Sequence, residues 1–264
     1  MTIAAPIPEM QPHTAASPQP EVSFVLPAYN EEARLPQGLD RVVAFLAEQD
    51  FNSEIVIVDD GSRDRTPEIV RGRISRLADL PLRVTMRIEQ HETNKGKGAA
   101  IRTGMLAATG TYIFFMDADL ATPPEESLKL LTHLREGVPV AAGSRIQPDG
   151  SDMRASQPAQ RRMVGKLFTM MRKALRVVPD IDDTQCPMKG FSHDAAQAIF
   201  ERQRLSGWIF DAEVLYIARA LGYPVVEVPV VWTHVDGSRH RLRPQQAWEV
   251  LRDLVRLRTS RVSR

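Results

Sequence analysis

A single cysteine, Cys186, stands in 264 residues, which excludes an internal disulfide framework and fits a reducing compartment. No stretch approaches the roughly 18–20 consecutive apolar residues that a spanning helix requires. No basic segment followed by an apolar run opens the chain, as a secretory signal would. These absences predict a cytoplasmic protein without a transmembrane segment, either soluble or peripheral on the inner face of a membrane. His91, His193, His234 and His240 lack metal-binding spacing and read as structural or solvent-facing. Cys186 has no histidine-containing catalytic motif around it and reads as a packed thiol. Trp208 and Trp232 read as core fillers, with a substrate role open for Trp208. There is no internal repeat.

Net charge is also nearly absent, at +1, but the distribution is uneven. Six basic residues and no acid occur between Arg161 and Arg176, and eight arginines between Arg239 and Arg264 stand against only Glu249 and Asp253. Such patches suit phosphate-bearing partners, including anionic lipid surfaces. Solvated helix faces have the same composition. No nucleic-acid recognition motif accompanies the arginines, so no nucleic-acid partner is expected.

What is present is a β/α alternation. Pro6, Pro8, Pro12, Pro18 and Pro20 mark residues 1–21 as a disordered leader. Strands are predicted at Ser23–Leu26, Ile55–Val58, Leu82–Ile88, Tyr112–Met116 and Val138–Gly143. Helices are predicted over Glu31–Gln49, from Thr66, over 99–108 and over Glu125–Arg135. This order implies an α/β fold with a mostly parallel central sheet and helices on both faces, and ligands beyond the carboxyl ends of the strands. Beyond residue 145 a polar loop leads to Arg161–Val178. There Met163, Val164, Leu167, Phe168, Met171, Leu175 and Val178 form an apolar stripe among basic side chains. That pattern serves an interfacial helix or a core helix with a basic outer face. The expected division is one half at 22–145, a second half of the same domain at 146–243 and a basic tail at 244–264.

The chemistry-bearing residues sit where strands end. Asp117-Ala118-Asp119 projects two carboxylates toward one side, hard ligands suited to Mg²⁺ or Mn²⁺ on a diphosphate. Such pairs also cap turns. Asp59-Asp60 ends another strand, where one carboxylate can bond a base or ribose. Lys95-Gly96-Lys97-Gly98 allows close backbone approach to phosphate at a helix start, yet lacks Walker spacing. A polar turn would read the same.

Taken together, Val25-Leu26-Pro27-Ala28-Tyr29-Asn30-Glu31-Glu32, Val58-Asp59-Asp60-Gly61-Ser62 and Asp117-Ala118-Asp119 resemble the signature of family 2 glycosyltransferases with the GT-A fold. Gly143-Ser144-Arg145, Asp183-Thr184-Gln185-Cys186, Trp208 to Glu213, Val231-Trp232 and Gly237-Ser238-Arg239 are similar to the dolichyl-phosphate β-glucosyltransferase branch. The resemblance runs from about residue 22 to 258. It implies an inverting, metal-dependent hexosyltransferase that moves glucose from UDP-glucose to a polyprenyl phosphate at the membrane surface.

In that pattern Pro27, Ala28, Tyr29 and Glu31 line the base pocket, Asp59 reads uracil or ribose, and Asp60 and Lys97 join the donor site. Asp117 and Asp119 hold the metal. Arg145, Arg161 or Arg162, and Arg239 clamp the acceptor phosphate, a task suited to the guanidinium fork. Asp211 and Glu213 form an acidic pair near the acceptor. Two departures stand out. Ala121 occupies a position where mannosyl relatives place a glutamine, and Pro187-Met188 replaces Gly-Phe after Cys186. Alternatives are a family 2 enzyme using GDP-mannose or a hydroxyl acceptor, a nucleotidyltransferase, and a non-catalytic nucleotide-sugar-binding module. A nucleotidyltransferase would carry a glycine- and arginine-rich loop where Pro27-Ala28-Tyr29-Asn30 stands.

Overall fold

The computed structural model describes residues 19–78, 83–233 and 244–259. Seven strands form one sheet: β1 (Val22–Ala28), β2 (Ser53–Asp59), β3 (Val84–Gln90), β4 (Tyr112–Phe115), β5 (Val140–Ser144), β6 (Lys189–Ser192) and β7 (Val225–Pro229). Their spatial order is β3-β2-β1-β4-β6-β5-β7, and every pairing is parallel except the two made by β6. The mostly parallel sheet expected from the alternation is therefore present. The reversed strand was not foreseen, because Lys189-Gly190-Phe191-Ser192 is too short and mixed to announce itself.

Strand side chains alternate between two cores, as period-two geometry requires. Phe24, Leu26, Ile55, Ile57 and Phe114 face one side, and Val25, Val56, Val58, Ile113 and Phe115 the other. The first side is covered by α1 (Leu35–Ala47), α2 (Thr66–Ala78) and α4 (Ser127–Arg135). The second is covered by α3 (Lys97–Ala107), α6 (His193–Arg202), α7 (Phe210–Ala220) and α8 (Pro244–Thr259), with α5 (Ala159–Ala174) packed at its margin. Helices thus cover both faces. No helix among the described residues is long and apolar enough to cross a membrane.

The apolar stripe expected over Arg161–Val178 divides. The helix stops at Ala174, because Arg176 and Val178 take left-handed backbone angles, φ 54° and 39°. Phe168, Met171 and Leu175 pack on the core, whereas Met163, Leu167 and Met170 are exposed. Arg172 is fully buried and donates to the carbonyls of Val177, Val178 and Ile181, which satisfies the backbone that leaves the helix. Of the proline-rich leader only residues 19–21 are described. Gly237-Ser238-Arg239, His234 and His240 lie outside the described residues.

Candidate active site

The carboxyl ends of β1, β2 and β4 converge, and each loop there is fixed by hydrogen bonds from its neighbour. After β1, Asn30 turns at φ 54°. Its N–H donates to Ser62 Oγ at 2.8 Å, and its Oδ1 accepts from the N–H of Arg63 at 2.8 Å. The N–H of Glu31 donates to Thr66 Oγ1 at 2.8 Å. Beside these loops lies a cleft of about 130 Å³ lined by Tyr29, Gly61, Ser62, Arg63, Glu92, Thr93 and Asn94. Tyr29, a sequence-predicted base contact, lies on this cleft with its ring partly exposed. Glu92, Thr93 and Asn94 carried no motif, although their place after β3 is where such a sheet binds ligands.

Asp59 and Asp60 have internal duties. Asp59 is fully buried; its carboxylate accepts from the N–H of Ser62 and from Gln90 Nε2. Through Ser62 it sets one wall of the cleft. Asp60 accepts from the N–H groups of Lys95 and Gly96 at 2.9 and 2.8 Å and contacts His91 Nδ1 at 2.7 Å. The other ring nitrogen of His91 meets Thr103 Oγ1 on α3 at 2.9 Å. Asp60 therefore holds the glycine-rich loop in place. His91 is structural, as expected.

That loop delivers Lys97. The helix begins two residues before its predicted start, so Lys97 rides on the first turn of α3. Gly96 at its start has φ 99°, and a Cβ there would stand 2.6 Å from the carbonyl oxygen of Ser206. Only glycine fits this conformation and approach. Lys97 Nζ lies 2.6 Å from Asp117 Oδ1 and 5.7 Å from the centre of the Phe210 ring. Burial opposes its charge, but the carboxylates of Asp117, Asp211 and Asp119 outweigh this and hold the ammonium above its ordinary pKa.

Asp117 and Asp119 share one loop with Leu120, which takes φ 52°. One oxygen of Asp119 accepts from the N–H of Ala121 at 3.1 Å. Burial, and then the charge of Asp117, push the Asp119 carboxyl above its usual range. Two crowded carboxylates, offset in part by Lys97 and Arg34, fit a hard divalent cation, which would relieve their repulsion. Among the described residues no third acidic, histidine or cysteine side chain completes a metal cluster. The remaining ligands would be diphosphate oxygens and water. Helix α1 presses on this loop from behind: a Cβ on Gly38 would stand 2.7 Å from the Ala118 carbonyl oxygen.

The candidate residues after β5 are held by partners within the protein. Arg145 is buried and forks onto Asp183, with Nε and Nη2 each 2.7 Å from a carboxylate oxygen. Its backbone N–H also donates to Asp183 at 2.9 Å, and the guanidinium lies 5.6 Å from the Trp232 ring. Although burial disfavours its ionised form, the Arg145 guanidinium, by charge and hydrogen bonds, holds Asp183 down at about 2. Arg145 is thus paired with Asp183. Trp232 is buried as expected, whereas Trp208 is about half exposed.

Arg161 and Arg162 stand on the first turn of α5. Arg162 donates to the Ala155 carbonyl, and no contact among the described residues joins either arginine to Arg145. Arg239 lies outside the described residues. Pro27 and Ala28 end β1, and Glu31 is paired with Arg34 at 2.6 Å rather than facing the cleft.

Asp211 and Glu213 part company. Both oxygens of Glu213 accept backbone N–H groups, from Arg204 at 3.0 Å and Leu205 at 2.8 Å. The Leu205–Ser206 segment backs Gly96 and Gly98, so Glu213 braces the lysine loop. Asp211 is buried and paired with Lys189 Nζ at 2.6 Å. Burial pushes its carboxyl up, against the pull of Lys189 and Lys97. Cys186 is fully buried, and burial, then the charge of Asp183, push its thiol up to about 12, consistent with an inert packed thiol.

The segment after β7 returns to the paired carboxylates. Thr233 N–H donates to the Ala121 carbonyl at 2.8 Å, and Val231 N–H to Glu126 at 3.0 Å. Trp232 is thereby held beside the loop that follows Asp117 and Asp119.

Comparison with known proteins agrees with this arrangement. Dolichyl-phosphate beta-glucosyltransferases from Dictyostelium discoideum and Drosophila melanogaster are 35% and 37% identical to the chain. The first alignment covers 90% of this chain and 73% of the relative, the second 92% and 76%. The human protein of that name is 33% identical, with 95% and 78% covered. Among solved structures, glucosyl-3-phosphoglycerate synthase from Mycobacterium tuberculosis in complex with UDP superposes with a TM-score of 0.65 at 20% identity, over 92% of this chain and 80% of that one. The same enzyme with Mn²⁺, UDP-glucose and phosphoglyceric acid gives 0.65 at 19% identity, over 92% and 79%. At these identities the structural likeness speaks for the fold. The sequence model of glycosyl transferase family 2 matches residues 23–200, and the chain belongs to that family.

Proposed function

We propose that the chain transfers glucose from UDP-glucose to a polyprenyl phosphate, with inversion at the sugar C1. The observation that carries this reading is the convergence of Lys97, Asp117 and Asp119 at the strand ends beside the Tyr29 cleft. Relatives named for dolichyl phosphate support the choice of acceptor. A phosphate oxygen of the acceptor attacks C1 while the bond from C1 to the β-phosphate oxygen breaks, and UDP leaves. A phosphate monoester is mostly dianionic at neutral pH, so no proton need be removed. Orientation and neutralisation of the leaving group then carry the rate.

In this reading the uracil occupies the cleft beside Tyr29, and Lys97 faces the diphosphate. Asp117 and Asp119 hold Mg²⁺ or Mn²⁺, which supplies charge neutralisation on the diphosphate when bound. The helix α5 is assigned to an anionic membrane surface. Exposed Met163, Leu167 and Met170 recur at helical spacing beside Arg162, Lys166 and Lys173, the composition of an interfacial helix.

The test is incubation with UDP-glucose, polyprenyl phosphate and Mn²⁺ or Mg²⁺, read by mass spectrometry. Metal-dependent glucosyl-phospho-polyprenol, lost in Asp119→Ala, is the expected result. Metal-dependent UDP release without lipid product would overturn the acceptor. Product with GDP-mannose alone would overturn the donor.

A further inference from the structure

Lys189 is a fully buried lysine that the sequence did not single out. Its place follows from the reversed strand. Because β6 runs against β4, it starts where β4 ends, and Lys189 pairs in register with Phe115, two residues before Asp117. A lysine buried without partners would be costly, and this one has three. Its ammonium donates to Asp211 Oδ1 at 2.6 Å and to the Cys186 carbonyl at 2.7 Å, and lies 5.2 Å from the Phe115 ring centre. The Phe210 ring, 5.8 Å from that of Phe115, carries Lys97 near its face. Two ammonium groups are thus held near adjoining aromatic rings, with Asp211 influencing both.

We infer that Lys189 is a positioning residue for sugar transfer: it fixes Asp211 so that this carboxylate, together with Asp117, holds Lys97 toward the donor diphosphate. This rests on the proposed transferase reading and extends it to the far side of the site. The groups that face Asp211 are Lys189 from β6, Lys97 from α3 and Asp117 after β4. Through Cys186 the same ammonium steadies the segment that carries Asp183, the partner of Arg145. Lys189 thereby ties the donor-side lysine to the acceptor-side arginine. In this account Asp211 works through Lys97 and takes no proton from a phosphate acceptor.

The experiment is a double-mutant cycle on the full chain, with kcat, KM and pH profile measured for Lys189→Met, Asp211→Asn, the pair, and Lys189→Arg. Each single neutral variant should lower kcat about 10-fold, and the double variant no further than Asp211→Asn alone. Lys189→Met should move the acid limb of the profile to higher pH, because Asp211 loses a cation that favours its charged form. Lys189→Arg should restore the limb. A carboxyl-carbon NMR titration of Asp211, which needs no acceptor, should show the same displacement.

Multiplying losses in the double variant, or an Asp211 titration unmoved by Lys189→Met, would overturn the inference. If Lys189→Met fails to fold, Lys189→Gln takes its place in the cycle and in the titration, under the same criteria. A wild-type enzyme that makes no glucosyl lipid overturns the proposed function instead. The cycle is then read on metal-dependent UDP-glucose hydrolysis and on the titration.

Discussion

The two halves of the site use charge differently. At the end of β4, Asp117, Asp119 and Lys97 remain partly exposed, and their mutual repulsion and attraction are only partly resolved. On the acceptor side, Arg145, Asp183, Glu213, Asp211 and Lys189 are buried and satisfied within the protein. The first arrangement awaits a ligand. The second is a scaffold whose charges hold loops and one another. A charged residue in a motif can belong to either class, and only its partners distinguish them.

The largest expected effect sharpens the open side. Asp119→Ala should lower transfer about 10³-fold and abolish Mn²⁺ binding by calorimetry while the melting temperature holds or rises, since a crowded carboxylate is removed. A fall in stability instead would show that Asp119 belongs to the scaffold class. Next, Arg145→Met should destabilise the fold by about 3–5 kcal/mol in urea titrations, because it strands the buried Asp183. An unchanged midpoint with a raised acceptor KM would return Arg145 to the open class.

The same pair sets an acid limit. The Asp183 carboxyl sits at about 2 in the folded chain, below its unfolded value near 4. Its contribution is complete above about pH 4 and is lost as pH falls toward 2. Arg145→Met should flatten stability over that window, measured by denaturation at stepped pH.

Asp60→Asn tests the middle ground. It removes the charge that grips the Lys95 and Gly96 N–H groups, and should raise the UDP-glucose KM about 10-fold with the acceptor KM unmoved. Smallest of all, replacing Met163, Leu167 and Met170 together by serine should leave melting unchanged, since these side chains are exposed. Sedimentation with anionic vesicles should fall several-fold. Unaltered sedimentation would remove α5 from the membrane surface.

How much was legible in the sequence follows the same divide. The five parallel strands, their helices and the carboxylates at their ends were readable because a β/α unit places its site residues by local chain order. Asp117 and Lys97 needed only the rule that ligands bind at strand ends. The grip of Asp60 on the lysine loop was not legible, because its partners, Lys95 and Gly96, lie 35 and 36 residues away. Glu213 and Asp211, two residues apart, read as an acidic pair, but one turns to a loop and the other to β6. Lys189 was missed because a reversed four-residue strand has no periodic signal. Tertiary pairing settled each of these, and local pattern could not.

The reversed strand also bears on how the molecule is assembled. Strand β5 has only β6 and β7 as neighbours, and both follow it by more than forty residues of chain. During synthesis the β1-β2-β3-β4 block can close on itself early, whereas β5 must wait unpaired until β6 emerges to bridge it to β4. Such long-range closure is the slow step in sheets of this kind. The residue that opens the bridging strand is Lys189. A nascent chain therefore gains the bridge between β4 and β5 and its buried lysine together, and only the edge strand β7 is added after them.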